Sequence, residues 1–107
     1  MVVNRLLMMK FINLTPHTIT LNDGREFPSA GVARVANSFT EIVDDICSVK
    51  YGEVEGLPEP KANTMYIVSQ MVLAASNRTD LVAPATGHPD CIRENGFIKS
   101  VPGFVRY

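Results

Sequence analysis

GLPEPKANTMYIVSQMVLAASNRTDLVAP, residues 56–84, decides how this chain is read. It passes from a Pro-rich turn into the apolar run Met65-Tyr66-Ile67-Val68. An Ala-rich segment at helical spacing follows, then a second apolar run, Leu81-Val82-Ala83. Met71 to Ala75 are apolar on every face, so a helix of about two turns over residues 69–76 persists only if it packs on a sheet. Asn77 suits a left-handed residue closing that helix. Ser69 to Asp80 is close to the shortest span able to return the chain for a parallel crossover. Ser69 and Gln70 occupy the first junction; Asn77, Arg78, Thr79 and Asp80 occupy the second. Such β-α-β junctions are where small domains commonly build ligand sites.

Around this passage the pattern is short strands divided by turn residues. Phe11 to Leu14 reads as a strand, bent at Thr15-Pro16 because proline removes a ladder donor. Thr18-Ile19-Thr20-Leu21 alternates as a half-buried strand does. Asn22-Asp23-Gly24-Arg25 and Asn95-Gly96 tolerate the positive φ of tight hairpins. Val32 to Ala36 predicts a strand with Ala33 and Val35 on one face and Arg34 on the other. Thr40 to Cys47 fits helix or strand; its β-branched residues favour strand, paired with Ser48 to Tyr51 across a turn. The expected class is α+β: a small, mostly antiparallel sheet with one short helix in a β-α-β passage. Residues 10–107 form a single domain, and residues 1–9 are an N-terminal extension or arm.

Composition narrows the function classes. A chain of 107 residues with 46% hydrophobic content buries roughly 60–70% of its unfolded surface without disulfide staples. The formal net charge is −1, from ten basic and eleven acidic residues with no run of either sign. Binding to long nucleic acid needs clustered Lys and Arg to displace counterions, and none are clustered here. The N-terminal apolar run is too short to span a bilayer and lacks a cleavage motif, so no membrane association is expected. Cys47 and Cys91, with no CxxC spacing, read as reduced thiols of a cytosolic protein. Joining His88 and Cys91 to His17 and Cys47 matches no familiar zinc spacing, so no metal is expected.

No P-loop, GxGxxG, HExxH or GxSxG motif appears, and no cofactor is expected. The candidate site is therefore a set of binding residues with no catalytic group assigned. His17 follows Pro16 in a bend and can donate to an anionic or planar ligand. Arg34, mid-strand between apolar neighbours, is either an edge-strand charge or a guanidinium fork for carboxylate or phosphate. Arg78 and Asp80 form either an internal ion pair or a ligand clamp. Ser69 starts the helix, whose first N–H groups can meet an anion, and Thr86 stands on the rim in the loop after the second strand.

Several phrases together resemble a family of small uncharacterised proteins encoded by bacteriophages and bacteria. They are Asn13-Leu14-Thr15-Pro16-His17, Ala33-Arg34-Val35, Gly56-Leu57-Pro58-Glu59-Pro60, Tyr66-Ile67-Val68-Ser69 and Arg78-Thr79-Asp80. The likeness covers most of the chain after Met9; the N-terminal extension and residues 47–55 depart from it. It carries no assigned activity and implies only a cytoplasmic setting in a host bacterial cell. The expected function is non-enzymatic binding of a small polar or anionic ligand by a homo-oligomer. A phage protein sequestering a nucleotide immune signal, and so blunting host defence, fits that description. A small hydrolase or transferase acting on a nucleotide-like substrate, with His17 or His88 as base, is the first alternative. A protein-interaction module that adds strands to a partner is the second.

Overall fold

Turn residues recur every few positions and keep the strands short. In the computed structural model, which describes residues 9–107, the chain runs β1 (Lys10–Asn13), β2 (Ile19–Thr20), β3 (Glu26–Phe27), β4 (Arg34–Phe39), β5 (Val49–Glu55), β6 (Thr64–Ile67), α1 (Gln70–Ala75), β7 (Leu81–Pro84), β8 (Ile92–Glu94), β9 (Phe97–Ser100) and β10 (Phe104–Val105). Strand occupies 43% of the described residues and helix 6%. The expected α+β class is corrected by this: the domain is mostly β. The strands also divide among four small sheets instead of forming one. The physical reason is length. A single six-residue helix covers too little surface to form a layer, and strands of two to seven residues are stopped by Gly, Pro, Asn and Asp before they can join one large sheet. The expected N-terminal arm lies, apart from Met9, outside the described residues.

The largest sheet has the order β1-β6-β7-β10. β1 pairs with β6 in parallel and β6 with β7 in parallel, with α1 between the last two; only β10 runs antiparallel, against β7. Side chains alternate across this sheet, so each face has its own cover. On one face Tyr66, Val68, Leu81 and Ala83 are buried against Val72 and Leu73 of α1, Leu14, and Ala33 and Val35 at the root of β4. The other face carries Ile67 and Val82. A cluster of Phe11, Phe27 and Phe104, with ring centroids 5.3–5.9 Å apart, ties β1, β3 and β10 together there. Leu21 and Val101, bridged to each other, close that side.

The helix ends differently from the expectation. Ser76 is extended, with φ −118° and ψ 148°, and its N–H donates to the Leu73 carbonyl. Asn77 is not among the residues with positive φ, so no left-handed cap forms; an extended exit leads straight towards β7. β4 begins and ends later than the Val32–Ala36 reading, and it pairs with β5 in a two-stranded ribbon. Asp44 and Asp45, at φ 51° and 68°, occupy the centre of its two-residue turn, with Val43 and Ile46 exchanging both backbone hydrogen bonds. Aspartate tolerates that backbone region, which makes this pair a hairpin turn. Gly56 ends the ribbon at φ 88°, where an added Cβ would lie 2.5 Å from the Val32 carbonyl oxygen. Only glycine fits that bend.

Candidate functional site

Three neighbouring parallel strands end on the same side of the sheet: β1 at Asn13, β6 at Ile67 and β7 at Pro84. The loops that leave them carry Thr15 and His17, Ser69 and Gln70, and Thr86, and these five side chains line one cleft of about 400 Å³. Ile19 and Thr20 of β2 and Ile98, Lys99 and Ser100 of β9 form the facing wall. Carboxyl ends of parallel strands leave room for ligands because the chain must diverge there to begin its crossovers.

Asn13 builds the first loop. It is buried at 2% exposure, and its amide makes four hydrogen bonds. Nδ2 donates to the carbonyls of His17 and Phe27, each at 2.7 Å. Oδ1 accepts from the Thr15 N–H at 2.9 Å and the Thr15 hydroxyl at 2.7 Å. A buried amide with every group satisfied is rigid, so Thr15 and His17 are held at the cleft mouth. On the second loop Ser69 caps α1, its Oγ accepting from the Val72 N–H at 3.2 Å. That leaves the Ser69 O–H as a free donor among the described residues. On the third, the Thr86 hydroxyl accepts from Gln70 Nε2 at 3.3 Å and the Thr86 carbonyl from Arg93 at 3.1 Å.

His17, Ser69 and Thr86 thus meet; the other three expected residues do not join them. Arg34 is exposed on β4, opposite Glu55 in the ribbon register, away from the cleft. Arg78 and Asp80 sit at the far end of the crossover and bind each other. Arg78 Nε donates to Oδ1 at 2.9 Å and a terminal nitrogen to Oδ2 at 2.6 Å. The second terminal nitrogen donates to the Pro58 carbonyl at 2.8 Å, and the guanidinium lies 5.6 Å from the centre of the Tyr66 ring. The hydrogen-bonded Asp80 carboxylate holds the Arg78 guanidinium above its ordinary range, with burial opposing. In turn Arg78 holds the Asp80 carboxyl below its ordinary range, again against burial. Arg78 also borders a separate concavity of about 580 Å³ with Asn77, Thr79, Arg106 and Tyr107. Its planar fork, however, is already occupied by Asp80 and Pro58.

The residues that the sequence reading missed are Asn13, Thr15, Lys99 and Ser100; Gln70 stands at the expected junction without an assigned role. Asn13-Leu14-Thr15 carries a usable signal: an Asn ending a strand, two residues before a Thr, is the pattern of a side chain that caps its own turn. Lys99 and Ser100 carried none, since only the tertiary fold brings β9 to this place.

The described residues lining the cleft bring hydroxyls, the Gln70 amide, the His17 imidazole and Lys99, between the apolar Ile19, Pro84, Ile98 and Val101. Lys99 pairs with Glu94 at 3.2 Å on the open surface, a weak pair in solvent that a ligand can displace. Among the described residues His17 makes no side-chain hydrogen bond to a hydroxyl nucleophile, and no group of three or more His, Cys, Asp or Glu side chains could hold a metal ion. No helix among them is long and apolar enough to cross a membrane. Neither a protein-family model, nor a curated protein, nor a solved structure matches the chain.

Proposed function

We propose that this chain is a non-enzymatic binding protein that holds a small polar ligand in the cleft at the carboxyl ends of β1, β6 and β7. One observation carries the reading: His17, Ser69 and Thr86, from three separate loops, converge with Lys99 and Gln70 in a single cleft of about 400 Å³. That volume lies within the usual range of small-molecule sites. Hydrogen-bond donors and acceptors around an Ile19, Pro84, Ile98 and Val101 floor suit an amphiphilic ligand with one planar or apolar face. Among the described lining residues Lys99 is the one ammonium and His17 the one imidazole, which suits a ligand of one or two negative charges at most. A polyphosphate would call for arginine forks, and both candidate arginines lie elsewhere. A nucleoside, mononucleotide or cyclic nucleotide meets these requirements, and the resemblance to phage and bacterial proteins keeps sequestration of a nucleotide signal as the biological form of the proposal. Among the described residues no cleft hydroxyl is hydrogen-bonded to a base, which favours holding a ligand over turning it over.

Isothermal titration against nucleosides, mononucleotides and cyclic nucleotides tests this. The expected result is saturable binding to at least one of them, weakened about tenfold by His17→Ala or Lys99→Ala and unchanged by Arg34→Ala. Absence of heat across the panel, or binding indifferent to the cleft substitutions, contradicts it.

A further inference from the structure

The β4–β5 ribbon is amphipathic beyond the point where the domain can use it. The register pairs Val35 with Val54, Asn37 with Tyr51 and Phe39 with Val49. Partners directly opposite one another in an antiparallel pair project to the same face, so this face is apolar except at Asn37, beside which the register shifts by one residue. Arg34, Glu55, Ser38 and Lys50 occupy the other face. At the root, Val35 is buried in the core and Val54 packs against it. Further out no described residue covers the same stripe: Phe39 is 68% exposed and Tyr51 60%. The tip adds Ile42, Val43 and Ile46 at 63–72%. An isolated two-stranded ribbon is marginal in water, and contiguous exposed apolar surface of this extent marks an interaction site.

We propose that this face is the contact between two copies of the chain, related by a two-fold axis with their ribbons antiparallel. The area matches. With Val49, 39% exposed, the six exposed apolar side chains of the ribbon offer on the order of 600 Å². With Asn37 beside them, each copy reaches the lower end of what a partner brings to a specific interface, about 600 Å². The ribbon's paired charges do not oppose it: Arg34, Lys50 and Glu55 project to the outer face and stay out of the contact. An antiparallel arrangement separates the two acidic Asp44-Asp45 tips, and a self-complementary patch closes at two copies without growing into a filament. This inference does not depend on what the cleft binds.

Sedimentation velocity on the full chain, from micromolar to near-millimolar concentration, tests it. The native chain is expected at twice its 11.8 kDa mass. Phe39→Asp combined with Ile46→Asp should sediment as a single copy while keeping a cooperative thermal melt. The milder Phe39→Ser, which serves if the double variant misfolds, should raise the dissociation constant at least tenfold. Phe97→Asp, which alters an equally exposed aromatic on the β8–β9 hairpin, should leave two copies. A single-copy mass for the native chain at every concentration overturns the proposal, even if the ribbon then captures another protein or a lipid surface. So does a two-copy particle that survives both ribbon variants.

Discussion

The two ends of the β6–α1–β7 crossover make opposite use of similar chemistry. At the end where β7 begins, Arg78, Asp80, Tyr66 and the Pro58 carbonyl satisfy one another, and the junction is closed. At the end where β6 stops, Ser69 caps the helix yet keeps a free O–H, Gln70 leans to Thr86, and His17 stands exposed beside them. Both junctions are rich in polar residues, but one spends them on the fold and the other presents them to solvent in a concavity. What separates the two is mutual complementarity. An arginine two residues from an aspartate forms a bidentate pair, whereas hydroxyls and an imidazole on different loops are too weakly matched to close on themselves.

The largest break in this contrast comes from Asn13. Replacing it with Ala strips partners from the His17 and Phe27 carbonyls and the Thr15 N–H. It should cost about 2–4 kcal/mol of stability and abolish cleft binding together. A denaturant melt and a titration on the same variant check this; binding that survives would mean the first loop does not shape the site. Next is Arg78→Ala, expected to cost about 2–3 kcal/mol by the same melt while leaving ligand affinity intact. A variant that melts normally but binds tenfold worse would reverse the assignment of the two junctions. His17→Ala and Lys99→Ala should show the mirror image: stability within about 0.5 kcal/mol of native, and affinity reduced about tenfold.

The smallest effect is in pH. Asp80 has its carboxyl held below the ordinary 3.8 by Arg78. Its contribution to stability is therefore full above that value and is lost as pH falls through the lower folded-state value. Stability should decline on the acid side, and Asp80→Asn should make that limb shallower, as thermal melts at successive pH values would show. An unchanged acid limb in Asp80→Asn would mean that the pair does not couple to folding.

Much of the strand pattern is legible in residue order because turn chemistry is local. Asn95-Gly96 takes φ of 53° and 82° and joins β8 to β9, as an Asn-Gly between apolar runs should. Ala33 and Val35 are buried while Arg34 is exposed, which is the alternation the run 32–36 carries. Class and site are less legible because they depend on which segments meet. The span 69–80 predicts the parallel β6–β7 crossover, but nothing in Lys10 to Asn13 announces that β1 lies parallel on the other side of β6. His17, Ser69 and Thr86 share one cleft, and each follows an apolar run at a turn. Arg34 and Arg78 stand apart from that cleft; charge alone does not say which face of a strand, or which end of a crossover, carries it. Arg78 had its answer beside it in Asp80.

The division between an open and a closed junction is tested most directly by amide chemical shifts of isotope-labelled protein during titration with nucleosides, mononucleotides and cyclic nucleotides. Shifts gathering at Thr15, His17, Ser69, Gln70, Thr86 and Lys99, with Arg78, Asp80 and Arg34 unmoved, are the predicted result. Shifts centred on Arg78 and its neighbours, with the His17 loop silent, would contradict it.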